Sequence, residues 1–182
     1  MWFGQPSAFY AQAIGEDEAG GFPSRYLGQV GIETSGFFRN RWSYRWFAEW
    51  AGTSCDIVKS DPGFGCAYNH GIYETGYRFR GRAIGHGAEG DAQIVSSGLV
   101  FVRDDETQWS VLLRTGDLNR GSPDARNTLT PIPLELKSID LSYGRSLSWG
   151  RLEFGIGYEQ LEDPLTSEDL GDARAFLTWR SH

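Results

Sequence analysis

Arginine occurs at every second position in one short stretch of the chain, at Arg78, Arg80 and Arg82. A second stretch with the same alternation contains Arg41 and Arg45. Guanidinium groups form forked, charge-assisted hydrogen bonds with carboxylates, so a run of them suits a ligand that carries several acidic groups. These five arginines are therefore the candidate binding residues of the chain.

The alternative role for these arginines is structural. On a sheet they would pair with carboxylates of neighbouring strands and would hold the interior of a barrel rigid. The candidate carboxylates are Glu49, Glu74, Glu153 and Glu159. The residues alone leave the binding role and the structural role open.

Signatures of metal, cofactor or catalytic chemistry are weak. The three histidines, His70, His86 and His182, lack metal-ligand spacing, and two cysteines are too few for a zinc cluster. Residues 85–90 match G-x-G-x-x-G by letter, but the segment after them reads as a strand, whereas dinucleotide binding needs a helix there. We therefore expect no metal, no cofactor and no enzymatic activity.

Composition and charge exclude several classes of protein. The 182 residues are 40% hydrophobic, which excludes intrinsic disorder, yet the longest apolar run is far too short for a membrane-spanning helix. Seventeen basic residues against 24 acidic ones give a net charge of −7, which argues against a nucleic-acid partner.

Apolar and polar residues alternate with a period of two along most of the chain, which predicts β-strands. Clusters of Gly, Pro, Asp and Asn separate the alternating segments. The predicted strands number nine and cover residues 8–14, 25–34, 41–51, 76–84, 91–103, 108–116, 134–143, 151–159 and 173–180. The sequence therefore predicts an all-β, antiparallel fold.

The length of the strands and their aromatic residues favour a membrane barrel over a soluble sandwich. Trp42 and Trp50 are separated by roughly 26 Å along a strand, which fits two aromatic girdles around an apolar band of about 25 Å on tilted strands. Sandwich strands are usually shorter. The predicted girdle residues are Trp42, Trp50, Tyr77, Trp109, Tyr158 and Trp179. An odd strand number does not close a bacterial barrel, so we expect the chain to be part of a longer protein.

Four runs of residues resemble the family of the capsule assembly protein Wzi. They are GEDEAGG at 15–21, YRWFAEWA at 44–51, GIYETGYRFRGRAIGH at 71–86 and GDLNR at 116–120. The resemblance extends from about residue 8 to the end. It implies that residues 1–182 are the C-terminal half of an 18-stranded barrel in the outer membrane of a Gram-negative cell. The N-terminal strands, the periplasmic helical part and the signal peptide of the family would then lie outside this chain.

The resemblance implies a lectin-like protein that binds capsular polysaccharide and helps to attach or assemble the capsule. The expected partners are an anionic capsular polysaccharide and outer-membrane lipid, and we expect a monomeric barrel. On this reading, Arg78, Arg80 and Arg82 are the best candidates for glycan contact, followed by Arg41 and Arg45. A pore for diffusion or polysaccharide passage is the alternative, although Phe47, Leu112 and Phe176 on the predicted inner face favour a filled interior. A barrel enzyme lacks a recognisable nucleophile.

The two cysteines, Cys55 and Cys66, would form one disulfide in the oxidising envelope that the resemblance implies. Closing that loop stabilises the fold by about 3 kcal/mol in the chain-entropy description. Free thiols in a cytosolic product are the alternative. Counting nine strands back from a periplasmic C-terminus puts this long loop on the periplasmic side, which conflicts with the usual placement of long loops outside.

Overall fold

The structure, a computed structural model, describes residues 6–19, 22–38, 41–70, 72–73, 75–121 and 123–181. Eight long strands form one antiparallel sheet in which each strand pairs with the long strand before and after it in the chain. They are β1 (Ser7–Ala19), β2 (Phe22–Phe38), β3 (Trp42–Gly52), β6 (Gln93–Arg103), β7 (Gln108–Leu118), β8 (Leu134–Leu147), β9 (Gly150–Glu162) and β10 (Asp169–Arg180). Between β3 and β6, β4 (Arg78–Phe79) and β5 (Arg82–Ala83) form a separate two-stranded hairpin. The predicted all-β, antiparallel fold is confirmed.

One face of the sheet is apolar across all eight strands. Its central register row consists of Ser7, Thr34, Trp46, Leu99, Val111, Leu141, Ile156 and Ala175. Large side chains of this apolar face lie exposed, among them Phe9, Val30, Val95, Trp109, Leu113, Ile139, Phe154, Tyr158, Leu177 and Trp179. A contiguous apolar surface of this extent is not left facing water by a soluble monomer.

The opposite, polar face carries the hydrogen-bonding and charged side chains. One of its register rows consists of Tyr10, Gly31, Glu49, Ser96, Arg114, Ser138, Glu159 and Asp172. Phe47, Leu112 and Phe176 also lie on this face, as predicted. The Phe47 ring lies against Gly98 and the Phe176 ring against Gly155, where any larger residue would collide with the ring. The period-two pattern therefore sets two faces of opposite chemistry.

The predicted strand over residues 76–84 is wrong. Phe79 pairs with Arg82, and Arg80 and Gly81 form a two-residue turn with φ values of 50° and 81°. Positive φ at both central positions is the geometry of a type I′ hairpin turn, for which Gly is well suited. The alternation therefore folds back on itself within a long loop and adds no strand to the sheet.

With that strand removed from the sheet, all the long connections lie at one end. Residues 53–92, 119–133 and 163–168 connect strands at this loop end, whereas residues 104–107 and 148–149 form short turns at the opposite end. The sequence placed the Cys55–Cys66 loop on the periplasmic side only because residues 76–84 were counted as a strand. Since the chain turns back at Arg80 and Gly81, this loop lies at the same end as the other long connections.

The segments 53–92 and 119–133, here called the cap, pack on the polar face at the loop end. Ala88 and Ala92 of the cap are buried with Ile94, Leu118 and Leu136 of the sheet. In a second cluster, Ala67 and Tyr68 of the cap pack against Leu27 of β2. Burial of apolar surface thus holds the cap over one end of the sheet. No helix within the described ranges is long and apolar enough to cross a membrane.

Candidate functional site

The tip of the β4–β5 hairpin presents two arginines and an aromatic ring to the outside of the cap. Phe79 is 65% exposed, and the guanidinium of Arg80 lies 5.3 Å from the centre of its ring. Register pairing places Arg82 on the same side of the hairpin as Phe79, and both arginines are exposed. Neither guanidinium has a carboxylate partner in the part of the chain that the structure describes. Two cations beside an open aromatic face suit an acidic sugar.

Arg78 lies on the other side of the same hairpin and is buried. Its Nη2 is 2.7 Å from Oε1 of Glu89, and its Nη1 donates to the Tyr68 carbonyl and to Oδ1 of Asn69. The side chains of Arg78 and Glu89 are only 9% and 3% exposed. The proposed ladder of three arginines on one face is therefore wrong, because pairing across the turn turns Arg78 inward, away from the tip.

Glu89 joins the two segments of the cap. While Oε1 accepts from Arg78, Oε2 accepts from the backbone N–H of Thr128 at 2.5 Å and from its hydroxyl at 2.6 Å. The Glu89 carbonyl also accepts from the Thr53 hydroxyl. A buried carboxylate with this many donors is fully compensated, so it fixes the position of the hairpin relative to residues 119–133.

The remaining two candidate arginines lie apart from the hairpin tip, and each has a carboxylate partner. Arg45 on the polar face contacts Glu33 at 2.6 Å, and Arg41 contacts Asp104 at 2.7 Å beside the short turns. The hydrogen bond from Arg41 lowers the pKa of Asp104 below its ordinary value. The structure therefore does not bring Arg41 and Arg45 together with Arg80 and Arg82.

Ion pairs also cross the polar face, which is the structural role that the sequence left open. Asp140 forms ion pairs with Arg114 at 2.9 Å and with Arg174 at 2.7 Å, and Arg174 also lies 3.7 Å from Glu159. Glu49 instead accepts a 2.8 Å hydrogen bond from the Tyr10 hydroxyl. Of the other glutamates considered, Glu74 lies outside the described residues. Glu159 thus pairs with Arg174, and Glu153 forms no ion pair among the described residues. Arg78 has the structural role that was the alternative, but its partner is Glu89 and not one of the four predicted glutamates.

A disulfide joins Cys55 and Cys66 in the cap, with their Cα atoms 5.3 Å apart. Beside it, Oδ2 of Asp91 accepts from the backbone N–H of Gly65 at 2.8 Å, while its Oδ1 has no hydrogen-bond partner within the described ranges. Burial and the nearby Asp124 carboxylate raise the pKa of Asp91. By contrast, hydrogen bonds from Arg126 lower the pKa of Asp124. The charged form is therefore disfavoured in Asp91 and favoured in Asp124.

The predicted girdle residues fall into two groups. Trp42 and Trp50 lie near opposite ends of β3 on the apolar face, and Trp109, Tyr158 and Trp179 lie on the same face. The Trp109 ring packs against that of Tyr143 in a tilted arrangement, with ring centres 4.5 Å apart. Tyr77 is not on the sheet but in the cap, because the predicted strand that carried it does not exist. Its inclusion in the girdle is wrong.

No cluster of His, Cys, Asp and Glu that could hold a metal ion occurs among the described residues. Nδ1 of His70 and Nδ1 of His86 each accept backbone N–H groups, so both rings order the loop around them. His182 lies outside the described residues. This part of the chain therefore offers hydrogen-bonding and stacking groups rather than a metal centre.

The family model for the capsule assembly protein Wzi matches residues 1–174. This chain belongs to the Wzi capsule assembly protein family. The family resemblance inferred from the sequence is therefore confirmed. No functionally curated protein matches the sequence.

A solved structure that resembles the chain is that of Wzi from Escherichia coli, described as an outer membrane protein involved in group 1 capsule assembly and as a carbohydrate-binding β-barrel. The two agree with a TM-score of 0.79 and 26% sequence identity. The match covers 100% of this chain and 40% of the E. coli chain. The eight-stranded sheet is therefore one part of a Wzi-type barrel wall, with its polar face toward the lumen and its apolar face outward.

Glu89 is the residue of this candidate site that sequence reasoning missed. It sits in a Gly-rich loop, and no periodic pattern distinguishes it from a solvated surface glutamate. The only local signal is the Gly81 turn, which would have shown that Arg78 and Arg80 project to different sides. The partner of a buried arginine in a loop is set by tertiary packing.

Proposed function

We propose that this chain forms part of an outer-membrane barrel that binds capsular polysaccharide and helps to attach or assemble the capsule at the cell surface. In this account the protein is a binding protein, not an enzyme, and works as a monomeric barrel in outer-membrane lipid. The loop end, with its long connections, faces the exterior, as is usual for outer-membrane barrels. The cap then stands between the lumen and the polymer.

The observation that carries this proposal is the hairpin tip. Arg80 and Arg82 have no carboxylate partner among the described residues, and Phe79 lies open beside them. Elsewhere in the cap, Arg78 is paired with Glu89 and Arg126 with Asp124. Unpaired guanidinium groups are available to carboxylates of an acidic polymer, and an exposed ring stacks on the apolar face of a sugar.

The E. coli relative supports the choice of ligand, since it is described as carbohydrate-binding. The forked guanidinium groups of Arg80 and Arg82 favour a polymer with uronic or pyruvylated residues over a neutral one. Phe47, Leu112 and Phe176 on the polar face and the cap over its loop end both favour a filled interior. An open diffusion pore is therefore the less favoured function.

Binding of the purified full-length gene product to the acidic capsular polysaccharide of its source strain tests the proposal. The double variant Arg80→Gln/Arg82→Gln removes both free cations from the tip. Each charge-assisted hydrogen bond is worth about 1.5–3 kcal/mol, so we expect a loss of affinity of about tenfold or more. The matched control is Arg145→Gln/Arg180→Gln, two exposed arginines at the short-turn end of the sheet.

Unchanged affinity in the tip variant would show that the hairpin tip does not bind the polysaccharide. Ion conductance of the wild type in planar bilayers, without polysaccharide binding, would instead favour the pore. Both variants keep the buried Arg78–Glu89 pair, so the cap itself remains intact in the comparison.

A further inference from the structure

Two cavities lie under the cap on either side of Gly87, and together they are called here the sub-cap chamber. One, of about 360 Å³, is lined by Gln12 and Gln29 of the polar face and by Tyr68 of the cap. The other, of about 380 Å³, is lined by Ser96, Arg114 and Glu159. His86 and Gly87 line both. Each is within the size range of small-ligand sites, about 300–1,000 Å³.

His86 lines both cavities and carries a ring N–H without a hydrogen-bond partner among the described residues. Its Nδ1 accepts the backbone N–H of Ala88 at 3.1 Å, which leaves the hydrogen on Nε2 in the neutral ring. Burial lowers the pKa of His86, which keeps the ring neutral at pH 7. Nε2 has no hydrogen-bond partner within the described ranges.

The wall of the chamber also has unused hydrogen-bonding capacity. Nη2 of Arg114 contacts Asp140, but its Nε is buried without a partner among the residues that the structure describes. A buried donor without a partner costs stability unless water or a ligand satisfies it. Because this Nε is itself buried in the wall, the hydrogen-bonding groups that a ligand can reach are those of lining side chains such as His86 and Ser96.

The lining combines apolar and polar groups in the way that a sugar ring requires. Leu27 and Tyr68 in one cavity and Leu136 in the other provide apolar surface, while amide, hydroxyl and imidazole groups face the same space. Sugar hydroxyls both donate and accept, and the C–H faces of the ring pack on apolar side chains. The chamber thus has the chemistry of a carbohydrate subsite.

Charge in the chamber disfavours an acidic sugar. Arg114 is already neutralised by Asp140, and Glu159 lines the same cavity. Glu49 lies close enough to His86 to influence its titration. Arg174 is paired with both Asp140 and Glu159, so neither arginine of this network is free. A ligand carboxylate would therefore find no unpaired cation here, unlike at the Arg80–Arg82 tip.

We propose that the sub-cap chamber, centred on His86 and Gly87, binds a neutral sugar residue of the polysaccharide. This inference rests on the proposed function and extends it. The β4–β5 hairpin directly precedes residues 85–87, so the tip and the chamber lie on one segment of the cap. The tip takes an acidic residue of the polymer and the chamber takes a neutral one.

Gly87→Trp is the variant that tests the chamber. Gly87 lines both cavities, a Cβ there would meet no atom within 4 Å, and its φ is not in the left-handed region, so an indole can be placed beside the chamber without straining the backbone. Ser60→Trp, on the exposed surface of the cap, is the matched control. The probes are the methyl glycosides of glucose, galactose and mannose, with methyl glucuronide as the acidic comparison.

Saturation-transfer NMR on the detergent-solubilised full-length protein measures the binding. We expect at least one neutral glycoside to bind wild type and Ser60→Trp equally, and its affinity to fall about tenfold or more in Gly87→Trp, since the indole displaces the sugar and its hydrogen bonds. Methyl glucuronide should give no Gly87-dependent signal.

Absence of transfer to every neutral glycoside, or equal transfer in Gly87→Trp, would show that the chamber holds water only and would overturn the inference. If Gly87→Trp fails the heat-modifiability shift of a folded barrel, Gly87→Leu is measured in its place. Arg80→Gln/Arg82→Gln should retain the neutral signal. Failure of the tip and failure of the chamber are therefore distinguishable.

Discussion

The guanidinium of Arg78 and the carboxylate of Glu89 form a buried, doubly hydrogen-bonded ion pair inside the cap, with Nη2 and Oε1 2.7 Å apart. The pair connects the β4–β5 hairpin to the loop that carries Thr128. It holds Arg78 on the inner side of the hairpin and leaves Arg80 and Arg82 at the tip. The positions of the two exposed arginines therefore depend on a third that is buried.

Breaking this pair should loosen the cap. Arg78→Met leaves the Glu89 charge buried and unpaired, which typically costs about 3–5 kcal/mol. Hydrogen exchange of the amides in residues 53–92 of the full-length protein measures the effect. Arg78→Met/Glu89→Gln is the control, because it removes both charges and should recover part of the lost protection. Protection in Arg78→Met equal to that of wild type would show that the pair does not hold the cap.

The disulfide should stabilise the cap locally. Cys55→Ser/Cys66→Ser removes the cross-link, which is worth about 3 kcal/mol for a loop of this size. We expect faster proteolysis within residues 53–70, with the strands of the sheet still protected. Mass spectrometry with and without reductant verifies the bond in the wild type. Two free thiols in protein from the outer membrane would contradict this assignment.

The stability of the cap should depend on pH through the ionisation of Asp91. Because burial raises the pKa of Asp91 above its ordinary value of 3.8, the folded cap holds this proton more tightly than the unfolded chain does. Stability is therefore lost as the pH rises from the ordinary pKa through the folded one, and the penalty remains at pH 7. Asp91→Asn should thus protect the cap better than wild type does at pH 7, as measured by hydrogen exchange.

Asp124→Asn is the opposing control for that experiment. The pKa of Asp124 is lowered by Arg126, so this carboxylate stabilises the fold above its ordinary pKa, and its contribution is lost as the pH falls through the lowered one. Its removal should weaken the cap at pH 7. If both variants shift protection in the same direction, the account of these two carboxylates is wrong.

The two faces of the sheet should respond differently to a buried charge. Val111 lies in the central row of the apolar face, and its neighbour Leu112 lies on the polar face opposite Asp140. Arginine on the lipid face near the middle of a bilayer costs about 2–4 kcal/mol. Val111→Arg should therefore reduce the heat-modifiable band in the outer-membrane fraction, and Leu112→Arg should not. Equal effects, or a soluble wild-type protein, would contradict the membrane barrel.

The strands of the sheet were predictable because they are long and several alternate clearly, as in β9, where Leu152, Phe154 and Ile156 share one face. The hairpin was not, because residues 76–84 alternate equally well and only Gly81 marks the turn. Alternation shows which residues share a side of a strand, but not whether the strand continues. The one miscounted strand changed the apparent side of every connection before it.

The candidate site was predictable only in part. Arginine spacing identified Arg80 and Arg82, but burial of Arg78 depends on Glu89, which is distant from any pattern in the sequence. The sub-cap chamber has no sequence signal, because Gln12, Arg114 and His86 come from three separated segments. Tertiary packing alone brings them together.

The most direct measurement of the central claim is the partition of capsular polysaccharide between cells and medium. A strain that lacks the gene is complemented with wild type, with Arg80→Gln/Arg82→Gln or with Arg145→Gln/Arg180→Gln, at equal levels in the outer membrane. Wild type and the short-turn control should keep the polymer on the cell, and the tip variant should release it into the medium. Polymer that stays on the cell with the tip variant, or in the absence of the gene, would contradict the account.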